Sequence, residues 1–459
     1  MATFTEGISQ YIKQMSFEQL PIEALDVSKR SILDCLGVAL AGCEEDAGKI
    51  ISQYAKDSGK SEAGVIGAGF KTSIDQAAWI NGTKAHALDY DDYFTPDYST
   101  PYHPTAVILP AVLAVGEKLH LSGEDVLLSY ITGFEVEARI ALACGKQHYD
   151  LGWHTTSTLG SIGAAAAVSK ILKLDEEEIR IALGIACSLS GGLRKNFGTM
   201  TKPLHAGNAA KNGVIAALLA QQGFTADKNI LDSPLSFCET LGGKTDREVV
   251  HTNREFQEEF YIVSPGIALK PYPSCAYSHW AIDAALDLIR GTLITPDDII
   301  SVECQTSSAL PHVLIYSNPQ TALEGKFSLE FCTAIALIDS EVSLQQFTTD
   351  KVKFPAVLEL MKKITFVHPL EMGSGLTNLG GELIIKLQDG NIYSQRVDTA
   401  KGNPRNPLSR DELIHKYENC THSYLSSEKI SKSLDLLLNL ESIRDISKLM
   451  DIFTFKTRL

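Results

Sequence analysis

Through the first 265 residues, apolar side chains recur every three or four positions, the spacing of helices that bury one face. After Pro21, the residues Ile22, Leu25, Ile32, Cys35, Leu36, Ala39 and Leu40 form one such stripe, and Gly42 is placed to end it. The same spacing predicts helices over residues 74–86, 110–121 and 125–143, the last with Leu127, Leu128, Ile131, Phe134 and Ile140 inward. Residues 157–172 hold Gly160, Gly163 and Ala164 to Ala167; a small face lets helices approach closely, so this segment reads as a buried central helix. Asp175, Glu176, Glu177 and Glu178 open a further helix with carboxylates at its positive end. Residues 208–222, with Ala209, Ala210, Val214, Ala217 and Leu218 and then Gly223, form another.

Around Pro265 the period changes. Ile300, Val302 and Cys304 alternate with polar residues, as do Leu383, Ile385 and Leu387, and residues 363–367 look similar. Asp389-Gly390 between two alternating runs is a hairpin signal. Helical stretches over 280–290, 328–338 and 357–363 lie between the strands, and the chain returns to helix from Leu408. The expected fold is mainly α. A large all-α helical domain is built from residues 1–267 and 401–459, with a smaller α+β domain inserted at 268–400.

Composition narrows the classes of function. With 459 residues, 44% hydrophobic and 21% charged, the chain is an ordinary globular protein. Lys plus Arg is 41 against 56 Asp plus Glu, a formal charge of −15. That balance argues against a nucleic-acid partner, which needs a basic face for phosphates. An anionic substrate would need a locally cationic pocket. The start shows neither a basic n-region nor an apolar h-region, and the longest apolar run, 106–116, is interrupted by Pro110, so no membrane segment is expected. Nine cysteines without CxxC spacing read as reduced, buried thiols of a cytoplasmic protein, with no zinc or iron–sulfur site.

Four segments place Asp, His and Lys at helix ends, each with a plain structural alternative. His86 to Asp92, followed by Tyr102-His103-Pro104, puts three carboxylates and two imidazoles between helices; it could equally be a solvated acidic turn, and it lacks calcium-loop spacing. Trp153-His154-Thr155-Thr156-Ser157 sets a histidine where helix N–H groups favour an anion, or merely caps the helix. Gly198 to Ala210 carries Lys202 in a polar loop before a buried helix, where it could meet a carboxylate or lie on the surface. Lys270 to Trp280, stiffened by Pro271 and Pro273, lies at the junction between domains; Cys275 and His279 would make a nucleophile pair only against their spacing of four and the helix start at His279. No GxGxxG, HExxH or GxSxG pattern accompanies them.

Taken as a set and in this order, these segments resemble the MmgE/PrpD family, which contains 2-methylcitrate dehydratase, cis-aconitate decarboxylase and iminodisuccinate epimerase. The likeness extends to Ser31-Ile32-Leu33-Asp34-Cys35-Leu36-Gly37, Asn81-Gly82, Gly207-Asn208-Ala209-Ala210, Lys270-Pro271-Tyr272-Pro273-Ser274 and Gly402-Asn403-Pro404-Arg405-Asn406-Pro407. The resemblance implies a homodimer whose subunits pair a helical domain with a smaller lid domain, the site lying between them, with no metal and no organic cofactor. It implies a lyase, hydro-lyase or carboxy-lyase, on a small di- or tricarboxylate. The alternatives are an epimerase of a substituted succinate and a non-catalytic carboxylate-binding protein. Carried over by motif, Asp89, His103, His154 and Lys202 are the catalytic candidates, with Lys270, Cys275 and His279 binding substrate. Cys275 stands where the decarboxylase members place a histidine, and dehydratase members carry one near Tyr277. The Pro-Ser-Cys form looks closer to the epimerase-like branch.

The shared chemistry explains these residue types. Negative charge spreads onto a substrate carboxylate as its neighbouring carbon changes bonding, so cationic donors and tuned acids and bases are needed. Lys202 and Lys270 are expected on substrate carboxylates, His103 and His154 as acid and base, and Asp89 as an orienter or proton acceptor.

Overall fold

The computed structural model describes residues 3–56, 58–95, 100–242, 260–292, 294–373 and 380–455. By its internal contacts the chain forms two units, Met1–Leu269 with Ser409–Leu459, and Lys270–Leu408.

The larger unit begins with α1 (Phe4–Gln14), closed at its start by a Thr3–Glu6 capping box. Helix α2 (Ile22–Ala41) follows Pro21 and ends at Gly42, and α3 (Asp46–Ala55) leads to a short ribbon of β1 (Ala63–Gly64) and β2 (Lys71–Thr72). Helices α4 (Ile74–His86), α5 (Thr105–Leu119), α6 (Gly123–Asp150), α7 (Thr155–Ile171), α8 (Glu176–Leu189) and α9 (Thr201–Gln221) then pack on one another. The buried small residues of α7 and α9 let these helices approach backbone to backbone. A methyl group at Gly207 would overlap the Trp79 carbonyl on α4, and one at Gly213 would overlap Ala164 on α7.

Two helix starts lie well ahead of where the sequence predicts them, both because of prolines. Helix α5 begins at Thr105, with Pro110 inside it rather than near its start. Burial of the whole stretch Thr105–Glu117 outweighs the hydrogen bond Pro110 cannot make. Helix α9 begins at Thr201, seven residues ahead of the predicted Asn208; Pro203 falls in the first turn, where a missing N–H costs nothing. Lys202 is therefore helical, not in a loop. A further correction concerns the cysteines. Cys144 in α6 and Cys238 in α10 (Phe237–Gly242) form a disulfide with Cα atoms 4.5 Å apart, while Cys35, Cys43, Cys187, Cys275, Cys304, Cys332 and Cys420 are buried and outside that bridge. Spacing cannot reveal a pair separated by 94 residues.

The smaller unit is α+β, as its pattern predicts. Helices α11 (His279–Gly291), α12 (Leu329–Asp339) and α13 (Pro355–Met361) accompany a four-stranded sheet of β3 (Ile299–Gln305), β4 (Ile364–Val367), β5 (Gly381–Leu387) and β6 (Ile392–Val397). The strand order is β4-β3-β5-β6, with β3 parallel to β4 and antiparallel to β5. Leu383, Ile385 and Leu387 all face inward. Asp389-Gly390 turns the chain from β5 into β6, with Gly390 at φ 88°.

The C-terminal stretch returns to the larger unit as α14 (Arg410–Thr421), α15 (Ser427–Leu438) and α16 (Ser447–Phe453). Lys416 on α14 pins it there: its Nζ lies 2.6 Å from Asp34 Oδ1 on α2 and donates to the Tyr90 carbonyl at 2.8 Å. No helix among the described residues is long and apolar enough to cross a membrane. The observed fold is thus mainly α, with an α+β unit inserted into a helical one.

Candidate active site

Four helix ends of the larger unit meet around one group of charges. Helix α4 ends at His86, and the chain reverses through Asp89, whose φ of 52° lies in the left-handed region and whose N–H donates to the His86 carbonyl at 3.2 Å. Aspartate is among the few non-glycine residues that visit this region. The turn brings Asp89, Asp91 and Asp92 under the start of α5, where Thr105 donates its hydroxyl and its N–H to the Asp92 carboxyl. His103 lies two residues before that start, ahead of the N-cap Pro104, His154 immediately precedes α7, and Lys202 and His205 occupy the first turns of α9, on one face by their spacing of three.

Lys202 Nζ donates to Asp89 Oδ1 at 2.6 Å, and His103 Nε2 lies 3.9 Å from the same oxygen. Asp91 faces two rings: both its oxygens are 2.9 Å from His86 Nδ1, and Oδ2 is 3.1 Å from His103 Nδ1. His103 Nδ1 also reaches the Asp92 carbonyl at 2.7 Å; a carbonyl only accepts, so this nitrogen carries the proton. The imidazoles continue as a row, with ring centres 4.4 Å apart for His86 and His103, 6.0 Å for His86 and His154, and 5.2 Å for His154 and His205. His154 and His205 share one hydrogen bond between their Nδ1 atoms at 3.0 Å, so one donates and the other accepts. Phe197 lies edge-on to His154 and 5.4 Å from Lys202 Nζ, walling the pair with an aromatic face.

Burial sets the protonation. It pushes His86 down to about 3, aided by Lys202 and His103 and opposed by Asp91. It pushes His154 well below the usual histidine range, with Lys202 and the neighbouring imidazoles adding. It pushes His205 down to about 4, again with Lys202. At neutral pH these three rings are uncharged and can accept protons. The adjacent carboxyls diverge. Burial alone would raise Asp91, yet His86 and His103 hold it well below the usual carboxylate range. Asp92 is pushed well above that range by burial, with Asp91 and Asp34 adding and the Thr105 hydrogen bonds opposing. Two neighbouring carboxyls pushed in opposite directions mark a candidate site for proton handling.

Ligand atoms of His86, Asp89, Asp91 and His103 lie within 4.8 Å of one another, a set with the right donors for a divalent ion. In this arrangement the Lys202 ammonium and the two Nδ1–H groups already face the Asp89 and Asp91 carboxylates.

Of the residues singled out from sequence, Asp89, His103, His154 and Lys202 come together in the larger unit. Lys270, Cys275 and His279 belong to the smaller one. There Lys270 is buried, and Cys275 precedes a single helical turn and donates its N–H to the Lys326 carbonyl at 2.9 Å. His279 opens α11 and donates Nε2–H to the Ser274 carbonyl at 3.2 Å, so that nitrogen is not a base for the Cys275 thiol. Sequence reasoning passed over His86, Asp91 and His205 as site residues. The available signals were the spacing of three from Lys202 to His205 on one helix and the second histidine at the end of the α4 stripe.

The MmgE/PrpD N-terminal domain model matches residues 6–249 and the MmgE/PrpD C-terminal domain model matches residues 272–441. The chain is similar to cis-aconitate decarboxylase of Mus musculus, 29% identical over 98% of this chain and 93% of that protein. It is similar to cis-aconitate decarboxylase of Homo sapiens, also 29% identical, over 98% and 94%. The enzyme of that name from Aspergillus terreus (strain NIH 2624 / FGSC A1156) is 28% identical over 98% and 95%.

Proposed function

The chain belongs to the MmgE/PrpD family, and from that premise we propose that it is a lyase acting on a small di- or tricarboxylate of the cis-aconitate or 2-methylcitrate kind, working without a cofactor. The observation that carries this reading is the buried Lys202–Asp89 pair set among four imidazoles, three of them uncharged at neutral pH. Similarity to cis-aconitate decarboxylases over nearly the whole chain supports the carboxylate substrate.

The geometry suits the chemistry. When carbon dioxide leaves an unsaturated tricarboxylate, the electron pair left on carbon spreads toward a remaining carboxylate; in a dehydration the pair comes from a C–H bond and expels a hydroxyl as water. In either case Lys202, lent to Asp89 in the resting site, is the cation available to the growing charge. An uncharged imidazole takes the proton in a dehydration, and an imidazolium returns one to carbon in a decarboxylation. His103 and His154 are the acid and base, and Asp89 orients His103 or takes a proton itself. Lys270, Cys275 and His279 are proposed to bind substrate. The working form is proposed to be a cytoplasmic homodimer, for which light scattering should read twice 49.9 kDa.

The test is to incubate the protein in heavy water with cis-aconitate, 2-methylcitrate and related acids and follow them by NMR. A decarboxylase releases carbon dioxide and places deuterium on the product; a dehydratase forms an alkene. No turnover of any such acid by folded protein would defeat the lyase reading. Cys275, in place of the histidine of the decarboxylase members, supports a second reading as an epimerase of a substituted succinate such as iminodisuccinate. That activity would label recovered substrate without loss of water or carbon dioxide. Tight binding of these acids without any exchange would instead indicate a carboxylate-binding protein.

A further inference from the structure

Asp91 is completely buried and faces two rings. Its Oδ2 lies 2.9 Å from His86 Nδ1 and 3.1 Å from His103 Nδ1. A carboxylate only accepts, so each Nδ1 presented to it carries the hydrogen, and a neutral imidazole with its hydrogen on Nδ1 has its lone pair on Nε2. The two rings are held with different redundancy. The Asp92 carbonyl, 2.7 Å from His103 Nδ1, fixes that ring independently of Asp91. Asp91 supplies both oxygens that face His86 Nδ1. Among the described residues, buried His86 Nε2 has no hydrogen-bond partner, although the ring lies between His103 and His154 in the row. Buried polar atoms are nearly always satisfied, and one left over in a group of acids and bases points to a ligand as the missing partner.

We propose that Asp91 is the positioning residue of this site: its carboxylate holds His86 as the Nδ1–H tautomer, beside a His103 that the Asp92 carbonyl keeps in the same form, so that both rings present Nε2 for proton exchange, and His86 thereby becomes a further acid–base group toward the bound acid. When His86 Nε2 takes a proton, the imidazolium stands beside the Asp91 anion and the pair has no net charge; returning the proton restores the neutral ring, and no other bond changes. This is the division of labour of a carboxylate behind a catalytic imidazole. Other titratable groups facing the pair include Lys202, Asp89, Asp92, His154 and Cys35. The inference rests on the lyase reading for what is turned over, whereas the tautomers are a property of the resting protein.

The experiment uses the full chain labelled with ¹⁵N-histidine at pH 7.5, with His86→Gln and His103→Gln identifying the two signals. In the wild type His86 should show a neutral Nδ1–H pattern, and His103 should carry a hydrogen on Nδ1. In Asp91→Asn an amide N–H can face His86 Nδ1, so the His86 pattern should move toward Nε2–H while His103 keeps its own. Cis-aconitate turnover by that variant should fall by up to about 10⁴-fold, the loss seen when a carboxylate behind a catalytic imidazole is neutralised, and Asp91→Glu should recover part of it. An Nε2–H pattern for wild-type His86, or an unchanged His86 in folded Asp91→Asn, overturns the inference. If Asp91→Asn does not fold, the wild-type spectrum still decides. If the wild type ignores cis-aconitate, the substrate reading suffers and the His86 signal decides this inference alone.

Discussion

Replacing Lys416 by methionine removes the cation from a buried pair that ties α14 to α2, and its cost follows from the structure. The side chains of Lys416 and Asp34 are 5% and 0% exposed, and 2.6 Å separates their charges. Methionine keeps most of the aliphatic stem, so the packing loss is small. What remains is an ionised carboxyl without its partner and the Tyr90 carbonyl without its donor. Breaking a buried pair on one side typically costs about 3–5 kcal/mol, a large share of the roughly 5–15 kcal/mol that holds a domain folded. Asp34→Asn should cost a similar amount by stranding the ammonium. The double variant carries neither stranded charge and should be more stable than the sum of the two losses by more than about 2 kcal/mol. Urea unfolding followed by circular dichroism, with all four proteins at one pH, measures the cycle. Two single losses that add within about 0.5 kcal/mol would show that the charges do not sense each other and would refute the reasoning. Because Lys416 also holds Tyr90, next to Asp89, folded Lys416→Met should lose turnover as well.

Lys202→Ala, with the fold intact by circular dichroism, should lose about 10²- to 10³-fold in kcat on whichever carboxylate the wild type turns over, the usual effect of deleting one donor at a developing oxyanion. His86, His154 and His205 are pushed below the value of an unfolded histidine, so the folded protein binds fewer protons below about pH 6.5. Their stabilisation is complete above that pH and is lost as pH falls toward about 4 for His205 and about 3 for His86, at up to about 1.4 kcal/mol per pH unit per ring. Urea midpoints at pH 7.5 and 5 should therefore differ in that direction, and His205→Gln should reduce the difference. Gly207→Ala should lower both the melting temperature and turnover, since its methyl group meets the Trp79 carbonyl on the helix that ends at His86; unchanged values would mean that α9 can shift freely. Peptide mapping without reductant should recover Cys144 and Cys238 in one cross-linked fragment.

Much of the architecture was legible because burial imposes its own period. The limits of α4 follow directly from its stripe, and Asp389-Gly390 marks the hairpin of β5 and β6 because the turn needs a residue that tolerates positive φ. The starts of α5 and α9 were hidden by Pro110 and Pro203, which local preference reads as boundaries and tertiary packing absorbs. The cystine was hidden for a different reason, since Cys144 and Cys238 are brought together by the fold alone. In the site, the segments holding Asp89, His103, His154 and Lys202 stood out as polar groups at helix ends, and the family resemblance picked these four out of them. Asp91 and His86 looked like more of the same acidic turn. What distinguishes them is the direction in which each ring and carboxylate points, and that depends on the left-handed turn at Asp89 and the Thr105 anchor on Asp92.

The glycines of α9 have a consequence for how this scaffold can be retuned. With Gly207 seated on one neighbouring helix and Gly213 on another, the rod can neither roll nor slide without driving backbone into backbone. The ammonium at 202 and the imidazole one turn beyond it are therefore fixed reference points. A change of preferred acid has to come from exchanging side chains around an immovable positive charge, because relocating that charge would require rebuilding the helical floor beneath it.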